Sequence, residues 1–176
     1  MKNKLYTSIG LMSGTSMDGI DISIIQSDGQ YEFYNILDDY FEYDVYLQEE
    51  LIRLRDIILN QNDLLKNSKE LGSLERKITV FHAEKINQIL SKYKYQIDLI
   101  GFHGQTIFHD PQKKITKQLG DGKLLSQLLK KKVVYDFRQN DIKNNGQGAP
   151  LTPIFHYLIS NIINEKFKTG FPIGFI

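Results

Sequence analysis

The first forty or so residues constrain the fold more than any other part of the sequence. Tyr6 to Leu11 is a short apolar run typical of a buried strand. Ile20 to Ile25 alternates isoleucines with polar residues, which is the period of a half-buried strand. A third apolar and aromatic stretch lies within Tyr31 to Phe41, after an Asp-Gly turn signal. The sequence therefore predicts three adjacent antiparallel strands at the start of the chain.

The rest of the chain changes to helices that alternate with strands. Leucine and isoleucine spacing predicts one helix from Leu47 to Ile58 and a second from Asn67, where Glu70 completes a capping-box pattern. A strand, a helix, a strand and a final helix are then expected at Ile97 to Phe102, Asp121 to Lys131, Val133 to Tyr135 and from about Leu151. With these later strands parallel to the first, the order predicts a mixed α/β sheet with helices packed on its faces.

Composition bounds the class of protein. The chain has 176 residues, of which 41% are hydrophobic and 24% charged, close to average globular usage. A net charge of +1 gives no overall field that would attract nucleic acid or an anionic membrane. The absence of cysteine excludes thiol chemistry and cysteine-based zinc sites. We expect a single soluble domain over residues 1–176 and a cytosolic location.

The first segment with chemical potential runs from Gly10 to Asp21 and reads GLMSGTSMDGID. Its glycines let the backbone approach a ligand closely, and its hydroxyls and amides can donate to phosphate oxygens. The alternative is an ordinary hairpin turn, for which Met-Asp-Gly alone would suffice. The segment is not a Walker A loop, because it lacks Gly-Lys-Ser/Thr and runs into a strand.

Two further segments lie at predicted element ends. Gly101 to Thr106 reads GFHGQT at the carboxyl end of a strand, where ligands gather in open α/β sheets. His103 is alternatively a structural histidine, and a metal pair with His109 lacks a third ligand at suitable spacing. Gln118 to Gly122 precedes a helix whose free amides favour an anion, although Asp121 can equally be a helix cap.

The last segment reads VVYDFRQNDIKNNGQGAP and begins at Val133. Asp136 stands where a strand meets a loop, a position from which a carboxylate can act as a general base. Arg138 is close in sequence and would favour the ionised form of that carboxylate. The alternative is a structural Asp–Arg pair at a strand end.

Together these segments resemble the N-terminal part of the anhydro-N-acetylmuramic acid kinases, in the superfamily of sugar kinases, Hsp70 and actin. The matching blocks, in the family's order, are Gly10 to Asp21, Gly101 to Thr106, Leu119 to Gly122, Asp136 to Arg138 and Gly146 to Leu151. Asn145 replaces the first of two glycines usual in the family, and asparagine tolerates the left-handed backbone. The resemblance implies a ribonuclease H-like lobe of the actin and hexokinase type.

The resemblance also implies an ATP-dependent reaction of peptidoglycan recycling in a bacterial cytosol. Water would open the 1,6-anhydro ring of anhydro-N-acetylmuramic acid while O6 takes the γ-phosphoryl group, giving N-acetylmuramic acid 6-phosphate. Asp136 would be the catalytic base. The ATP phosphates would contact Gly14, Thr15, Ser16, Met17, Asp18, Gly19, Ile20 and Asp21. The sugar and phosphate cleft would be lined by His103, Gln105, Thr106, Asp121 and Arg138. Mg²⁺ would accompany the nucleotide, with no ligand assigned.

Phosphoryl transfer needs these groups around one substrate, so Ser13 to Asp18, His103 to Thr106 and the two aspartates should line one concave surface. Members of the family are longer and have a second lobe that supplies the second phosphate contact and the adenosine pocket. We expect this chain to be the N-terminal lobe with the C-terminal lobe absent, and to need that lobe for turnover. The alternative is a non-catalytic remnant or a half-protein that acts with a separate second-lobe polypeptide. We expect an apolar surface around Pro153 to Leu158 and Phe171 to Ile176 that favours self-association or such a partner.

Overall fold

A computed structural model describes residues 4–170 and 172–174, and its centre is a six-stranded mixed sheet. The strands β1 (Tyr6–Ser13), β2 (Gly19–Ser27) and β3 (Phe33–Glu42) form an antiparallel meander. The sheet order is β3-β2-β1, followed by the parallel part of the sheet. The predicted meander is therefore confirmed.

The fourth strand, β4 (Leu99–Asp110), is longer than the sequence predicts and changes partners along its length. Its first half is parallel to β1 and to β6 (Val133–Tyr135), and its second half is antiparallel to β5 (Ile115–Leu119). The prediction missed β5 because lysines and polar residues dominate its flanking sequence. The segment Gly101 to Thr106 thus lies inside β4, at the level where the parallel neighbours end.

The helices lie on both faces of the sheet, with Phe155 of the last helix beside Gly10 and Ser23 on the face opposite the core. Their bounds are α1 (Val45–Ile57), α2 (Gln61–Lys66), α3 (Ser68–Lys92), α4 (Gly122–Leu129), α5 (Phe137–Lys143) and α6 (Pro153–Phe167). The four helices expected from periodicity are present, whereas α2 and α5, with 6 and 7 residues, are too short to show a period. No helix in the described part of the chain is both long and apolar enough to cross a bilayer.

The core lies between the sheet and the helices α1, α3 and α4. The alternation in β2 has its predicted effect, because Ile20, Ile22 and Ile24 are fully buried. Ile22 and Ile24 are registered against Leu11 and Ile9 of β1. These isoleucines of β2 therefore face the core, and the polar residues between them lie on the opposite face of the sheet.

The start of α3 differs from the predicted capping box. The Asn67 side chain makes no cap hydrogen bond to α3, because its Nδ2 donates 2.8 Å to the Asp63 carbonyl of α2. Glu70 instead pairs with Arg53 of α1. Asn67 is also the C-cap of α2, so the short preceding helix uses the side chain that the pattern assigned to α3.

The helix α6 carries one part of the predicted apolar surface. Ile154 and Tyr157 are largely exposed, while the Phe155 ring makes an edge contact with Phe33 of β3 at 5.0 Å between centroids. In the other part of that expectation, residues 171, 175 and 176 lie outside the described residues.

A histidine inside the core makes stability depend on pH. His82 of α3 is fully buried, its ring lies 4.9 Å from that of Phe102, and its Nδ1 donates 2.8 Å to the Ile78 carbonyl. Its Nε2 has no hydrogen-bond partner. Burial lowers the pKa of His82 from 6.5 to about 4, because the core removes the charged ring from water and the hydrogen bond to the Ile78 carbonyl offsets only part of that cost.

We predict that His82→Leu removes much of the acid sensitivity of the fold. The lowered pKa means that the stability is fully present above pH 6.5 and is lost as pH falls towards 4. The loss attributable to His82 is about 3 kcal/mol, to which His103 and His109, whose pKa values are also lowered, add in the same direction. Urea unfolding at pH 7 and pH 4.5 measures the difference. Ile86→Val, which removes one methyl group from the buried face of α3 and no titratable group, is the control and should keep the wild-type pH dependence.

Candidate active site

The topology brings the predicted segments to one end of the sheet. Both β1 and β6 run parallel to β4, so the chain leaves the sheet after Ser13 and after Tyr135 at the same end. β5 lies on the same edge of β4 as β6 but runs in the opposite direction, and it ends at Leu119 beside Gln105. The turn that follows β5 therefore meets the end of β6.

A cleft of about 340 Å³ lies where β5 and β6 meet. Two predicted site residues, Asp121 and Asp136, line it together with Lys117, Lys123 and Tyr135. A larger cleft of about 540 Å³ between α1 and α3 contains none of the predicted site residues. Of these two clefts the smaller is the better candidate, since it brings two predicted site residues together from separate segments.

Asp136 has a free carboxylate. It is the N-cap of α5, with a left-handed backbone (φ 59°), yet its side chain makes no cap hydrogen bond and is exposed. The expected loop after β6 is thus a helix start that leaves the carboxylate oxygens open to solvent. A carboxylate in this state can take a proton from a bound water or hydroxyl.

Asp121 lines the cleft and also accepts a hydrogen bond that caps α4. Its Oδ1 accepts 2.9 Å from the Leu124 amide, so the helix-cap alternative is what the structure shows for this oxygen. Its own amide donates 3.0 Å to the Thr79 hydroxyl of α3. Glu75, also on α3, accepts from the Gly120 amide at 3.2 Å and from Lys117 at 2.7 Å. The helix α3 therefore holds the turn that presents Asp121.

The remaining predicted cleft residues are bonded inside the protein. The Thr106 hydroxyl oxygen on β4 accepts 3.3 Å from the side-chain Nε2 of Gln118. Gln105 is fully buried, and its Nε2 donates 2.8 Å to the Gly14 carbonyl. The cleft lining includes neither of them, nor the Ser13 to Asp18 loop, so the expected concave surface is divided between the cleft and the loop.

The β1–β2 loop exposes some of its predicted phosphate contacts and buries others. Thr15, Ser16 and Asp18 are exposed, and Asp21 is exposed further along on β2. The Ser16 hydroxyl donates 2.6 Å to Asp18, and this bond lowers the pKa of the Asp18 carboxyl. By contrast Met17, Gly19 and Ile20 are buried and anchor the loop in the core.

Arg55 of α1 is a cation near the loop that sequence reasoning missed. Its Nη1 lies 3.4 Å from the Thr15 carbonyl, and its Nη2 pairs with Asp56 at 2.9 Å. In the sequence it is an ordinary arginine on a helix surface, so no local pattern could have revealed this position.

Arg138 pairs with His103 rather than with the carboxylate of Asp136. Its Nε donates 2.8 Å to His103 Nε2, and its Nη1 donates 3.0 Å to the Gly148 carbonyl. His103 Nδ1 donates 2.6 Å to the Gly104 carbonyl, so both ring nitrogens are used. The structure therefore gives His103 a structural part, and it corrects the expected Asp136–Arg138 pair because the guanidinium is turned towards β4.

We predict that His103 is neutral and protonated on Nδ1 at neutral pH. Burial, and then the charge of Arg138, lower the pKa of His103 below 6.5, because a charged ring would lose its Nε2 acceptor and face the guanidinium. Imidazole nitrogen chemical shifts in NMR measure both points. A ring protonated on Nε2 at pH 7 would contradict the assignment.

The kink inside β4 requires glycine at position 104. Gly104 has φ +72°, and a Cβ there would lie 2.5 Å from the Leu119 carbonyl oxygen of β5. Gly122 is similarly restricted, since a Cβ there would meet the Tyr135 ring. These close approaches hold the ends of β5 and β6 together.

We predict that Gly104→Ala lowers the free energy of unfolding by at least about 2 kcal/mol, because the left-handed backbone and the backbone contact both oppose a Cβ. Urea denaturation measures it. Gly72→Ala is the matched control, since Gly72 is exposed on α3 with no atom within 4 Å of an added Cβ. It should raise stability by about 1 kcal/mol. Equal effects of the two substitutions would show that position 104 is not restricted.

The strand order and the loop between β1 and β2 place the chain in a fold class. An antiparallel meander followed by parallel strands with helical crossovers is the ribonuclease H-like lobe of the sugar kinase and actin superfamily. The sequence profile described as anhydro-N-acetylmuramic acid kinase matches residues 6–171. The chain therefore belongs to the anhydro-N-acetylmuramic acid kinase family.

Curated relatives agree with this assignment. A protein of Pelagibacter ubique named anhydro-N-acetylmuramic acid kinase is 59% identical over 158 residues, covering 90% of this chain and 42% of that protein. A protein of the same name from Agrobacterium fabrum is 41% identical over 173 residues, covering 94% of this chain and 45% of its own length. The chain thus spans less than half the length of these relatives.

Proposed function

We propose that this chain carries the phosphate-binding loop and the catalytic base of an ATP-dependent kinase acting on anhydro-N-acetylmuramic acid. The observation that carries the proposal is that Asp121 and Asp136 line one cleft, at the same end of the sheet as the Gly14 to Asp18 loop. The names of the family and its relatives supply the substrate class.

The proposed reaction balances with one base and one phosphoryl donor. A water loses a proton to Asp136 and bonds to the anomeric carbon of the sugar, while the bond from that carbon to O6 breaks. The electron pair left on O6 attacks the γ-phosphorus, and the bond from phosphorus to the ADP oxygen breaks. The products are N-acetylmuramic acid 6-phosphate and ADP.

The state of each side chain supports its part in this scheme. Asp136 can accept the proton, because no protein group within the described residues occupies its carboxylate. Asp121 is oriented by its bond to the Leu124 amide and lines the cleft, where its other oxygen would accept from a sugar hydroxyl. Arg138, held by His103 and Gly148, supplies a fixed positive charge for an anionic group of the substrate.

The proposed divalent ion is Mg²⁺. Across residues 4–170 and 172–174, no three His, Asp or Glu side chains are grouped so that they could hold a metal ion. Mg²⁺ commonly binds through substrate phosphates and water with one or two carboxylates. The exposed Asp18 beside the loop is the residue whose chemistry fits such a contact. The ion would neutralise phosphate charge during transfer.

We propose that turnover needs the part of the kinase that the relatives have and the match does not cover. Positioning two substrates contributes more than one general base does, roughly 10⁵–10⁸ M in effective concentration against 10²–10⁴-fold. The matches to this chain cover 42% and 45% of two relatives, and the proposed second lobe corresponds to the rest of their length. It would act with a second-lobe polypeptide in the cytoplasm, and the alternative is a non-catalytic remnant.

The test joins this chain to the remaining residues of the Pelagibacter ubique relative and follows the sugar phosphate by mass spectrometry. We expect turnover in the chimera and a loss of roughly 10²–10⁴-fold in Asp136→Asn, because the water loses its base. Asp39→Asn is the matched control, since Asp39 is an exposed aspartate on β3 outside the cleft.

The outcomes separate the alternatives. Turnover by the 176-residue chain alone, abolished by Asp136→Asn, would show that one lobe suffices. An inactive chimera that still folds would favour the non-catalytic remnant. Full activity in Asp136→Asn would overturn the assignment of the base.

A further inference from the structure

Gln105 lies beneath the β1–β2 loop and not on its surface. It sits on β4 between its register partners Ser13 of β1 and Leu119 of β5, and all three residues are buried. Its Nε2 donates 2.8 Å to the Gly14 carbonyl. A side chain with no exposed surface cannot contact a ligand in the open cleft, so its effect must pass through the loop.

The other end of the Gln105 amide has no partner. Oε1 is buried and accepts no hydrogen bond, while only the NH₂ group can donate to a carbonyl, so the orientation of the amide is determined by Gly14. A buried acceptor without a partner is unfavourable. Gln105 is therefore a buried polar side chain that is unfavourable for stability, and its one hydrogen bond fixes the Gly14 carbonyl.

The position of this carbonyl determines where the next amide points. A trans peptide is planar, and its C=O and N–H point in opposite directions. The Gly14–Thr15 peptide is trans, and its carbonyl is turned inward by Gln105 and also accepts from the Met17 amide at 3.3 Å. The Thr15 N–H therefore points away from the sheet.

The outward amide has no protein acceptor. Neither the Thr15 N–H nor the Ser16 N–H donates to another described residue, and both residues are exposed. The negative group nearest in sequence, Asp18, already accepts from the Ser16 hydroxyl. Free amides with adjacent hydroxyls are suited to bind the oxygens of an anion.

We propose that Gln105 is a positioning residue that turns the Gly14 carbonyl inward and so aims the Thr15 N–H at a phosphate oxygen of the nucleotide. The proposal deepens the proposed function and rests on it for the identity of the ligand. It differs from the role that the sequence implied for Gln105, which was a contact in the sugar and phosphate cleft.

The experiment compares Gln105→Met with Gln26→Met. Methionine keeps the length of the side chain and removes the donor together with the unpartnered acceptor, so we expect little change in global stability. Gln26 is the matched control, because its Nε2 also donates between neighbouring strands, 3.2 Å to Thr7, at the other end of β1. Amide hydrogen exchange is followed by NMR in the full chain. ATP titrations in the presence of MgCl₂ use the chimera described above, because the second lobe is expected to supply the adenosine pocket.

In Gln105→Met we expect the Met17 amide to exchange about tenfold faster than in the wild type, because its acceptor carbonyl is no longer held. ATP should shift the Thr15 amide signal of the wild type, and its affinity should fall about tenfold in Gln105→Met. Gln26→Met should change neither quantity.

The failures can be told apart. ATP binding that shifts other residues but not the Thr15 amide would overturn this inference and leave the proposed function standing. No ATP binding at all by the folded chimera would overturn the proposed function and the phosphate contact with it. Unchanged Met17 exchange and unchanged affinity in Gln105→Met would overturn the positioning role.

A second measurement needs no variant and decides the case if Gln105→Met does not fold. In the wild-type chain without nucleotide, the Gln105 side-chain amide protons should exchange slowly, since they are buried and bonded. The Thr15 amide should exchange rapidly, since it faces solvent. A protected Thr15 amide would overturn the proposal.

Discussion

The arrangement of the site depends on the change of partners within β4. As far as Gln105 the strand has the parallel β1 on one edge, and on the other it has β6 as far as Phe102 and β5 from Gln105 onward. This works only if the backbone turns at Gly104, where the positive φ and the nearby Leu119 carbonyl leave no room for a Cβ. Because β5 and β6 approach from opposite directions on the same edge, their ends meet, and Asp121 and Asp136 come to share a cleft.

Asp18, Asp121 and Asp136 lie at this end of the sheet and differ in the hydrogen bonds that their carboxylates accept. Asp18 accepts from Ser16, and Asp121 accepts from the first turn of α4. Asp136 occupies the N-cap position of α5, but its side chain makes no capping hydrogen bond. A general base needs oxygens that no protein donor occupies, and a group that orients a substrate needs a rigid anchor. The different environments therefore favour Asp136 as the base and Asp121 as an orienting group.

Much of the fold could be predicted from the sequence, because burial periodicity is a local signal. Ile20, Ile22 and Ile24 of β2 are buried as their spacing indicates, and Asp121 caps the helix that it precedes. The bond between Arg138 and His103 joins residues 35 positions apart, and no local pattern encodes it. Asn67 shows the same limit, since the preceding helix α2, itself unpredicted, uses its side chain. Predictions failed where a residue's partner lay on an element that periodicity could not reveal.

The polar residues of the GFHGQT segment show why a motif does not by itself identify the groups that touch a ligand. His103 uses both ring nitrogens within the protein, and Gln105 is buried beneath the loop. Gly104 between them provides the turn that separates their directions. The sequence motif does not distinguish these three residues from groups that contact a ligand. In the structure each of them instead supports a neighbouring part of the protein. Groups free to meet a substrate are those that the protein leaves unbonded, and among the described residues these include the carboxylate of Asp136 and the amides of Thr15 and Ser16. The rigid surroundings matter as much as the free groups, because an unbonded donor or acceptor has a direction only when its neighbours are fixed.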